Sequence, residues 1–207
     1  MRRIKHKEAS ILFLIDATKC NKDNLRSIFL EVEDTAFDFY ATKRSYHFSY
    51  SSICYTDEGQ PLIRDFDDNI EEFSNSHDEK IDFINNLPGE PITTPIDYSN
   101  LLMTCYTNLR EREGKKIIVW IASRPALGER FCGEVGHHKE EEKFVHILQD
   151  FFKDVDFFCL YLNEGAQKMF DEMQSIHQDN SNNQFVIYDF GKRRWLDTNF
   201  ITDLLNE

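Results

Sequence analysis

The sequence predicts an α/β protein with a doubly wound, mostly parallel sheet, helices on both faces and one antiparallel edge strand. Three mainly apolar runs, at residues 11–16, 117–122 and 155–162, have the pattern of strands that are buried on both faces. Between such runs, apolar residues recur every three or four positions, most clearly over 21–43, as in an amphipathic helix. Because strands alternate with helices, we expect one domain over residues 1–207, with its core at about 9–190.

The other elements follow from the same patterns. Residues 46–55 alternate between apolar and polar and predict a second strand. After a turn, residues 61–66 predict a short edge strand, because a leading proline is tolerated at a sheet edge. A rigid loop with three prolines and a glycine spans 88–95, and a second loop spans 129–138. The remaining predictions are helices within 67–87 and at 96–109, 139–152, 165–177 and 197–205, and a last strand at 185–188.

The composition narrows the class of protein. A net charge of −13 argues against a general nucleic-acid binder, which needs a basic surface. The first apolar run is only about five residues long, whereas a membrane span needs about 20. The five cysteines are odd in number, widely spaced and lack a C-x-x-C pair, so neither a zinc finger nor a disulfide framework is indicated. We expect a soluble, cytoplasmic protein with reduced thiols.

Two motifs give the chain a family resemblance. Residues 11–21 read ILFLIDATKCN, and residues 117–128 read IIVWIASRPALG. The first is similar to the ILFLIDATGSM strand, and the second to the IIHIADAPAHG strand, of von Willebrand factor A (vWA) domains. Tyr55-Thr56-Asp57 also resembles the tyrosine–x–aspartate that follows the second strand in this family. The resemblance covers about 9–190 and is closest to vWA domains of protists and to those linked to alpha-kinases.

The resemblance also implies a metal-ion-dependent adhesion site, which holds Mg²⁺ through Asp-x-Ser/Thr-x-Ser, a distant Thr or Asp, and a second distant Asp. Asp16 and Thr18 match the first two positions, and Cys20 replaces the third, a hydroxyl. The distant Thr or Asp aligns near Thr93, with Asp97 also close, and Ser123 falls where the final Asp stands. A thiol is a soft, poor ligand for Mg²⁺, and the loss of a carboxylate removes charge that offsets cation dehydration. We therefore expect a degenerate site in which Asp16 holds its loop in shape.

These observations lead to a functional expectation of a non-enzymatic module that binds another protein. The predicted contact surface is the set of loops at the carboxyl edge of the sheet: 16–23, 56–60, 88–97 and 123–138. The candidate partner-binding residues are Asp57, Asp97, Arg124 and Pro125. We expect no certain cofactor, no small-molecule substrate and no membrane contact. The alternatives are a Mg²⁺-dependent ligand binder of the adhesion type, and a regulatory or partial relative of an alpha-kinase-linked vWA protein that itself carries no kinase motif.

A third alternative is a phosphatase-like enzyme, because Cys20 through Ser27 fit C-x5-R-S. Its spacer lacks glycine and Arg26 falls on a predicted helix, so chance explains the match better. A zinc site at His137, His138 and His146 with Cys132 lacks a second compact ligand pair, and we prefer a solvated loop. The acidic residues over 65–72 are best explained as a solvated face, and the basic–aromatic run at 192–195 as a turn before the last helix.

Overall fold

The computed structural model describes residues 7–18, 24–42, 46–55, 61–86, 94–178 and 183–191. Its strands are β1 (Lys7–Asp16), β2 (Tyr46–Tyr55), β3 (Pro61–Asp67), β4 (Lys115–Ala122), β5 (Val155–Tyr161) and β6 (Phe185–Asp189). Its helices are α1 (Leu25–Thr42), α2 (Ile70–Asn85), α3 (Ser99–Arg110), α4 (Glu129–Cys132), α5 (His138–Phe151) and α6 (Glu164–Gln178). These strands form one sheet in the order β3-β2-β1-β4-β5-β6, in which β3 alone is antiparallel to its neighbour. The predicted fold class is confirmed.

Strand β1 lies at the centre of the sheet and pairs in parallel with β2 on one side and β4 on the other. Its five consecutive apolar residues, 11–15, are completely buried, as the uninterrupted apolar run predicts for a strand covered on both faces. Alternate side chains enter two separate cores, because successive residues of a strand point to opposite faces. Phe13 belongs to one core and Leu14 to the other.

Each core is closed by its own group of helices. On one face, α1 and α2 bury Phe29 and Phe73 against the sheet. On the other face, α3, α5 and α6 contribute Leu102, Phe144 and Phe170 to the second core. The prediction of helices on both faces is therefore confirmed.

Two local predictions are wrong. The helix predicted from residue 96 begins at Ser99, because Ile96 pairs instead with Ala126 in an isolated parallel bridge. Its backbone nitrogen donates to the Pro125 carbonyl oxygen at 3.1 Å, and its own carbonyl oxygen accepts from the nitrogen of Leu127 at 2.8 Å. The loop predicted over 129–138 contains the short helix α4, which is anchored by the completely buried Phe131.

Other predicted elements agree to within a few residues, although β1 begins already at Lys7. The helix predicted over 197–205 and the basic–aromatic run at 192–195 lie outside the described residues. Among the helices that are described, none is both long enough and apolar enough to cross a membrane.

The buried His177 of α6 makes stability depend on pH. It is 6% exposed, and its ring lies 5.0 Å from that of Phe152 and 5.4 Å from that of Phe185. Burial lowers the pKa of this imidazole below its ordinary value of 6.5, against the opposing effects of a backbone hydrogen bond with Asn183 and the charge of Asp156. The unfolded chain therefore binds the proton more readily than the folded chain does.

We accordingly expect stability to fall as the pH drops below about 6.5, and the loss to be complete below the folded-state pKa. His177→Leu is expected to reduce this dependence in urea denaturation performed between about pH 5 and pH 7.5. The matched control is His138→Leu, because His138 is exposed at the start of α5. Equal pH slopes in the wild type and in His177→Leu would contradict the prediction.

Candidate functional site

The carboxyl ends of the central strands meet at one edge of the sheet. Asp16, the last residue of β1, lies opposite Tyr55, the last residue of β2. On the other side, β4 ends at Ala122 opposite Tyr161 of β5. Because these strands are parallel and in register, their last residues lie side by side at this edge. Open α/β sheets place their ligand sites at this edge.

Asp16 is completely buried at this edge, and both of its carboxylate oxygens accept hydrogen bonds from the chain. Oδ1 accepts from the backbone nitrogen of Thr18 at 3.1 Å, which closes a tight turn directly after β1. Oδ2 accepts from the backbone nitrogen of Ser123 at 2.9 Å and from its Oγ at 2.5 Å. The carboxylate therefore ties the end of β1 to the first residue after β4.

Ser123 extends this connection to α6. Its carbonyl oxygen accepts a hydrogen bond from Nδ2 of Asn163. Oδ1 of the same asparagine accepts from the backbone nitrogen of Ala166 at 3.1 Å, in the first turn of α6. A series of hydrogen bonds through Asp16, Ser123 and Asn163 thus joins β1, the end of β4 and the start of α6.

Two buried tyrosines, Tyr55 and Tyr98, hold the backbone around Ser123 in place. The hydroxyl of Tyr98 donates to the carbonyl oxygen of Arg124 at 3.0 Å and lies 3.3 Å from the hydroxyl of Tyr55. Burial raises the pKa of Tyr55 well above its ordinary value, and the nearby Asp16 raises it further. Tyr55 is therefore a neutral phenol at physiological pH, and its hydroxyl also reaches the Ile121 carbonyl oxygen at 3.5 Å. These contacts fix the backbone on which Ser123 and Arg124 lie.

Comparison with known proteins identifies the fold. No family model matches this sequence, and no curated protein matches it at a significant level. Among solved structures it is similar to the VWA domain of SpRpn10, with a TM-score of 0.54 and 12% identity over 96% of this chain and 93% of that one. The chain has a vWA-like fold. At this level of identity the similarity concerns the fold alone.

The predicted site residues divide into three groups within this vWA-like fold. Asp16, Thr18 and Ser123 are buried together at the carboxyl edge. Asp97 is exposed on the rim, by which we mean the outer surface of the loops at the carboxyl edge. Its Oδ1 accepts from the backbone nitrogen of Ser99 at 2.9 Å and so helps to begin α3. Pro125 is partly exposed, whereas Arg124 is 5% exposed and offers a partner almost no surface. Cys20, Asp57 and Thr93 lie outside the described residues.

One rim residue was not singled out from the sequence. Val135 is 72% exposed in the loop between α4 and α5, the most exposed of the large apolar side chains that are described. Gly133 and Gly136 flank it with φ angles of 83° and 95°, a left-handed conformation that glycine adopts without strain. The two glycines fix the turn that presents Val135. The usable signal was an isolated valine between glycines in a polar loop.

The residues of the enzymatic and zinc alternatives are only partly described by the structure. Arg26 is exposed on α1, as predicted, while Cys20 lies outside the described residues. His138 and His146 are exposed on α5, and Cys132 donates through Sγ to the Gly128 carbonyl oxygen at 3.1 Å. In the described parts of the chain, no group of three or more His, Cys, Asp or Glu side chains is placed to hold a metal ion.

The hydrogen-bond partners at the centre of the vWA-like site were not predicted from the sequence. Ser123 was assigned to the site by its alignment with a missing aspartate, and its role as a double donor to Asp16 was not foreseen. Asn163 and Tyr98 were not singled out at all. An asparagine one residue before a helix is a usable signal for Asn163, because this residue type commonly caps helices.

Proposed function

We propose that this chain is a non-enzymatic interaction module that binds another protein through the loops at the carboxyl edge of its sheet. In this proposal Asp16 is a structural group that holds the loops, rather than the ligand of a resident metal ion. The observation that carries the proposal is the set of three hydrogen bonds that Thr18 and Ser123 donate to the Asp16 carboxylate.

The donor set at this edge supports the structural role of Asp16. Mg²⁺ requires near-octahedral oxygen coordination, and carboxylates supply the charge that offsets its dehydration. Within the described residues, Asp16 provides the carboxylate of this centre, and Ser123 uses its hydroxyl to donate to that carboxylate. The Ser123 hydroxyl, by donating this hydrogen bond, stabilises the negative charge of the Asp16 carboxylate, which a bound cation would otherwise do. This donor set supports a structural role for Asp16 in place of a resident Mg²⁺ ion.

The rim of the site supports protein binding. Val135, Asp97 and Pro125 provide an apolar side chain, a charge and a rigid ring on loops that follow or precede the strands and helices of this edge. Loops on a rigid scaffold commonly carry recognition, because their shape is set before the partner arrives. The resemblance to vWA domains implies the same function, since these domains mediate protein assembly.

The metal part of the proposal is tested by adding divalent cations. We expect neither Mg²⁺ nor Mn²⁺ to raise the midpoint of thermal unfolding beyond the effect of KCl at the same ionic strength. A cation present at 100 times its Kd would stabilise the native state by about 2.7 kcal/mol, which such a measurement detects easily. A micromolar affinity that is abolished by Asp16→Asn would contradict the structural role and favour the Mg²⁺-dependent binder.

The partner-binding part is tested by quantitative capture from extracts of the native cell, in the presence and absence of EDTA. Val135→Asp is expected to abolish the capture of proteins that the wild type retains, and EDTA is expected to have no effect. Met103→Asp is the matched control, because Met103 is 45% exposed on α3 and is not part of the loops at the carboxyl edge. Equal loss in both variants, or no loss in Val135→Asp, would contradict binding at this rim.

A further inference from the structure

Helix α1 carries a second apolar surface that the fold does not use. Its inner side buries Phe29, Val32 and Phe39 in the first core. On its outer side, Leu30, Phe37 and Tyr40 are 52%, 42% and 62% exposed. We call these three residues the α1 stripe. Positions i, i+7 and i+10 lie along one side of a helix, and they extend over about 15 Å.

Acidic side chains border the α1 stripe. Asp34 and Asp38 are exposed on the same helix, and Glu33 is partly buried beside α2. Partial burial and the nearby Asp34 raise the pKa of Asp38. Burial also raises the pKa of Glu33, with further contributions from Asp78 and Asp34. These carboxylates repel one another, so a cation placed among them would be attracted by several charges at once.

The α1 stripe continues into a cleft of about 820 Å³ at the amino edge of the sheet, since Tyr40 lines both. Glu71 and Glu72 are exposed in this cleft. The cleft also contains Arg112, whose guanidinium lies 4.8 Å from the ring centre of Phe66 and whose Nη2 donates to Ser49 Oγ at 2.7 Å. Asp68, which also lines the cleft, pairs with His47 at 3.2 Å and lies 4.0 Å from Arg112. Glu71 and Glu72 are therefore the exposed carboxylates of the cleft that we expect a ligand to meet.

The charge of this surface determines its occupant. Anionic lipid headgroups and nucleic-acid phosphates would meet the acidic border and be repelled. A second copy of the chain would bring the same carboxylates against each other. Among the described residues of α1, Arg26 is exposed one turn before Leu30, and the exposed Asp34 and Asp38 lie between Leu30 and Tyr40. A helix with apolar residues on one side and lysines or arginines at its flanks can pack its apolar side on the α1 stripe, while its cationic side chains pair with the acidic border.

We propose that the α1 stripe and the adjoining cleft bind a basic amphipathic helix of a partner protein. The apolar side chains of that helix pack on the α1 stripe, and its cationic side chains lie beside Asp34 and Asp38 and reach Glu71 and Glu72. This surface is separate from the loops at the carboxyl edge, so the module would hold two different protein segments. A loss of binding at one surface leaves the other intact.

The probe is a fluorescently labelled synthetic peptide of leucine and lysine with helical spacing, titrated with the full chain at physiological ionic strength. Two peptides serve as comparisons: one with glutamate in place of lysine, and one with the same composition in an order that destroys the helical spacing. We expect saturable binding of the first peptide and at least tenfold weaker binding of the other two. Equal binding of the reordered peptide, or tighter binding of the acidic one, would overturn the proposal.

Variants locate the binding surface. Leu30→Ser with Phe37→Ser is expected to weaken binding at least tenfold, and Met103→Ser on α3 is the apolar control. Asp34→Asn with Asp38→Asn is expected to weaken it at least fivefold. Its control is Glu142→Gln with Asp171→Asn, which changes the net charge equally at exposed positions of α5 and α6.

Circular dichroism verifies that each variant is folded. The stripe variant tests the apolar part of the surface, and the charge variant tests its acidic border separately. If Glu142→Gln with Asp171→Asn weakens binding as much as Asp34→Asn with Asp38→Asn does, the attraction is a general effect of the negative charge and the proposal is wrong. The proposal is equally wrong if Met103→Ser weakens binding as much as the stripe variant does. If sedimentation shows that the chain forms dimers that Phe37→Ser dissociates, the occupant is a second copy and the proposal is likewise wrong.

Discussion

Replacing Asp16 with alanine is expected to lower the free energy of unfolding by about 4 kcal/mol, because buried donors lose their acceptor. The backbone nitrogens of Thr18 and Ser123 and the Ser123 hydroxyl all donate to this carboxylate. Asp16 and Thr18 are 0% exposed and Ser123 is 4% exposed, so water cannot readily replace the lost acceptor. Urea denaturation followed by far-UV circular dichroism measures the change.

Asp16→Asn is the matched control for this prediction. The amide keeps the shape of the side chain and one acceptor oxygen, but its NH₂ group faces a donor. We expect it to cost about half as much as alanine, on the order of 2 kcal/mol. The measurements are made with and without EDTA, and the costs should be the same in both. A stability of Asp16→Ala within about 1 kcal/mol of the wild type would show that the three hydrogen bonds do not hold the edge together.

Replacing Trp120 with alanine is expected to cost about 4 kcal/mol, the range for removing a large aromatic side chain from a core. Trp120 is completely buried in β4. Its ring centre lies 5.0 Å from that of Tyr98 and 5.4 Å from that of Phe170, both in edge-to-face geometry. The alanine variant therefore leaves a cavity beneath the tyrosine that supports Arg124, and it is expected to loosen the loops as well as to destabilise the fold.

Guanidinium denaturation followed by circular dichroism measures this cost, because the substitution itself changes the fluorescence. Trp120→Phe keeps most of the ring volume and is expected to cost about 1–2 kcal/mol. Met103→Ala on the surface of α3 is expected to stay within about 0.5 kcal/mol of the wild type. The prediction fails if Trp120→Ala is no less stable than Trp120→Phe.

Much of the fold could be predicted because its strongest signals are local. The apolar run of β1 is long enough to identify a buried strand, and the alternation over 46–55 gives the exact limits of β2. The start of α3 could not be predicted in this way, because Ile96 fits the apolar spacing of that helix. Its pairing with Ala126 decides its conformation, and that partner lies far along the chain.

At the candidate site, too, local features could be predicted and contacts between distant residues could not. Asp16 was recognisable as an acidic residue at the end of a buried strand, and the vWA resemblance assigned Ser123 to the same edge. Neither observation contains the hydrogen bonds between them, because a serine in a loop has no pattern that reveals its partner. The support from Tyr98 and Asn163 depends equally on three-dimensional contacts. Sequence patterns therefore identified the edge, whereas the network within it required the structure.

The contact between Asp16 and Ser123 also has a consequence for the order of folding. The two residues are 107 positions apart in the sequence. During synthesis, β1 and β2 are complete long before the ribosome has made β4, so the Asp16 carboxylate first exists without the donors of Ser123. Contacts between such distant residues require the closure of a long loop, which slows folding relative to local contacts. We therefore expect the hydrogen bonds between Asp16 and Ser123 to form late, after the helices of the first face have been made.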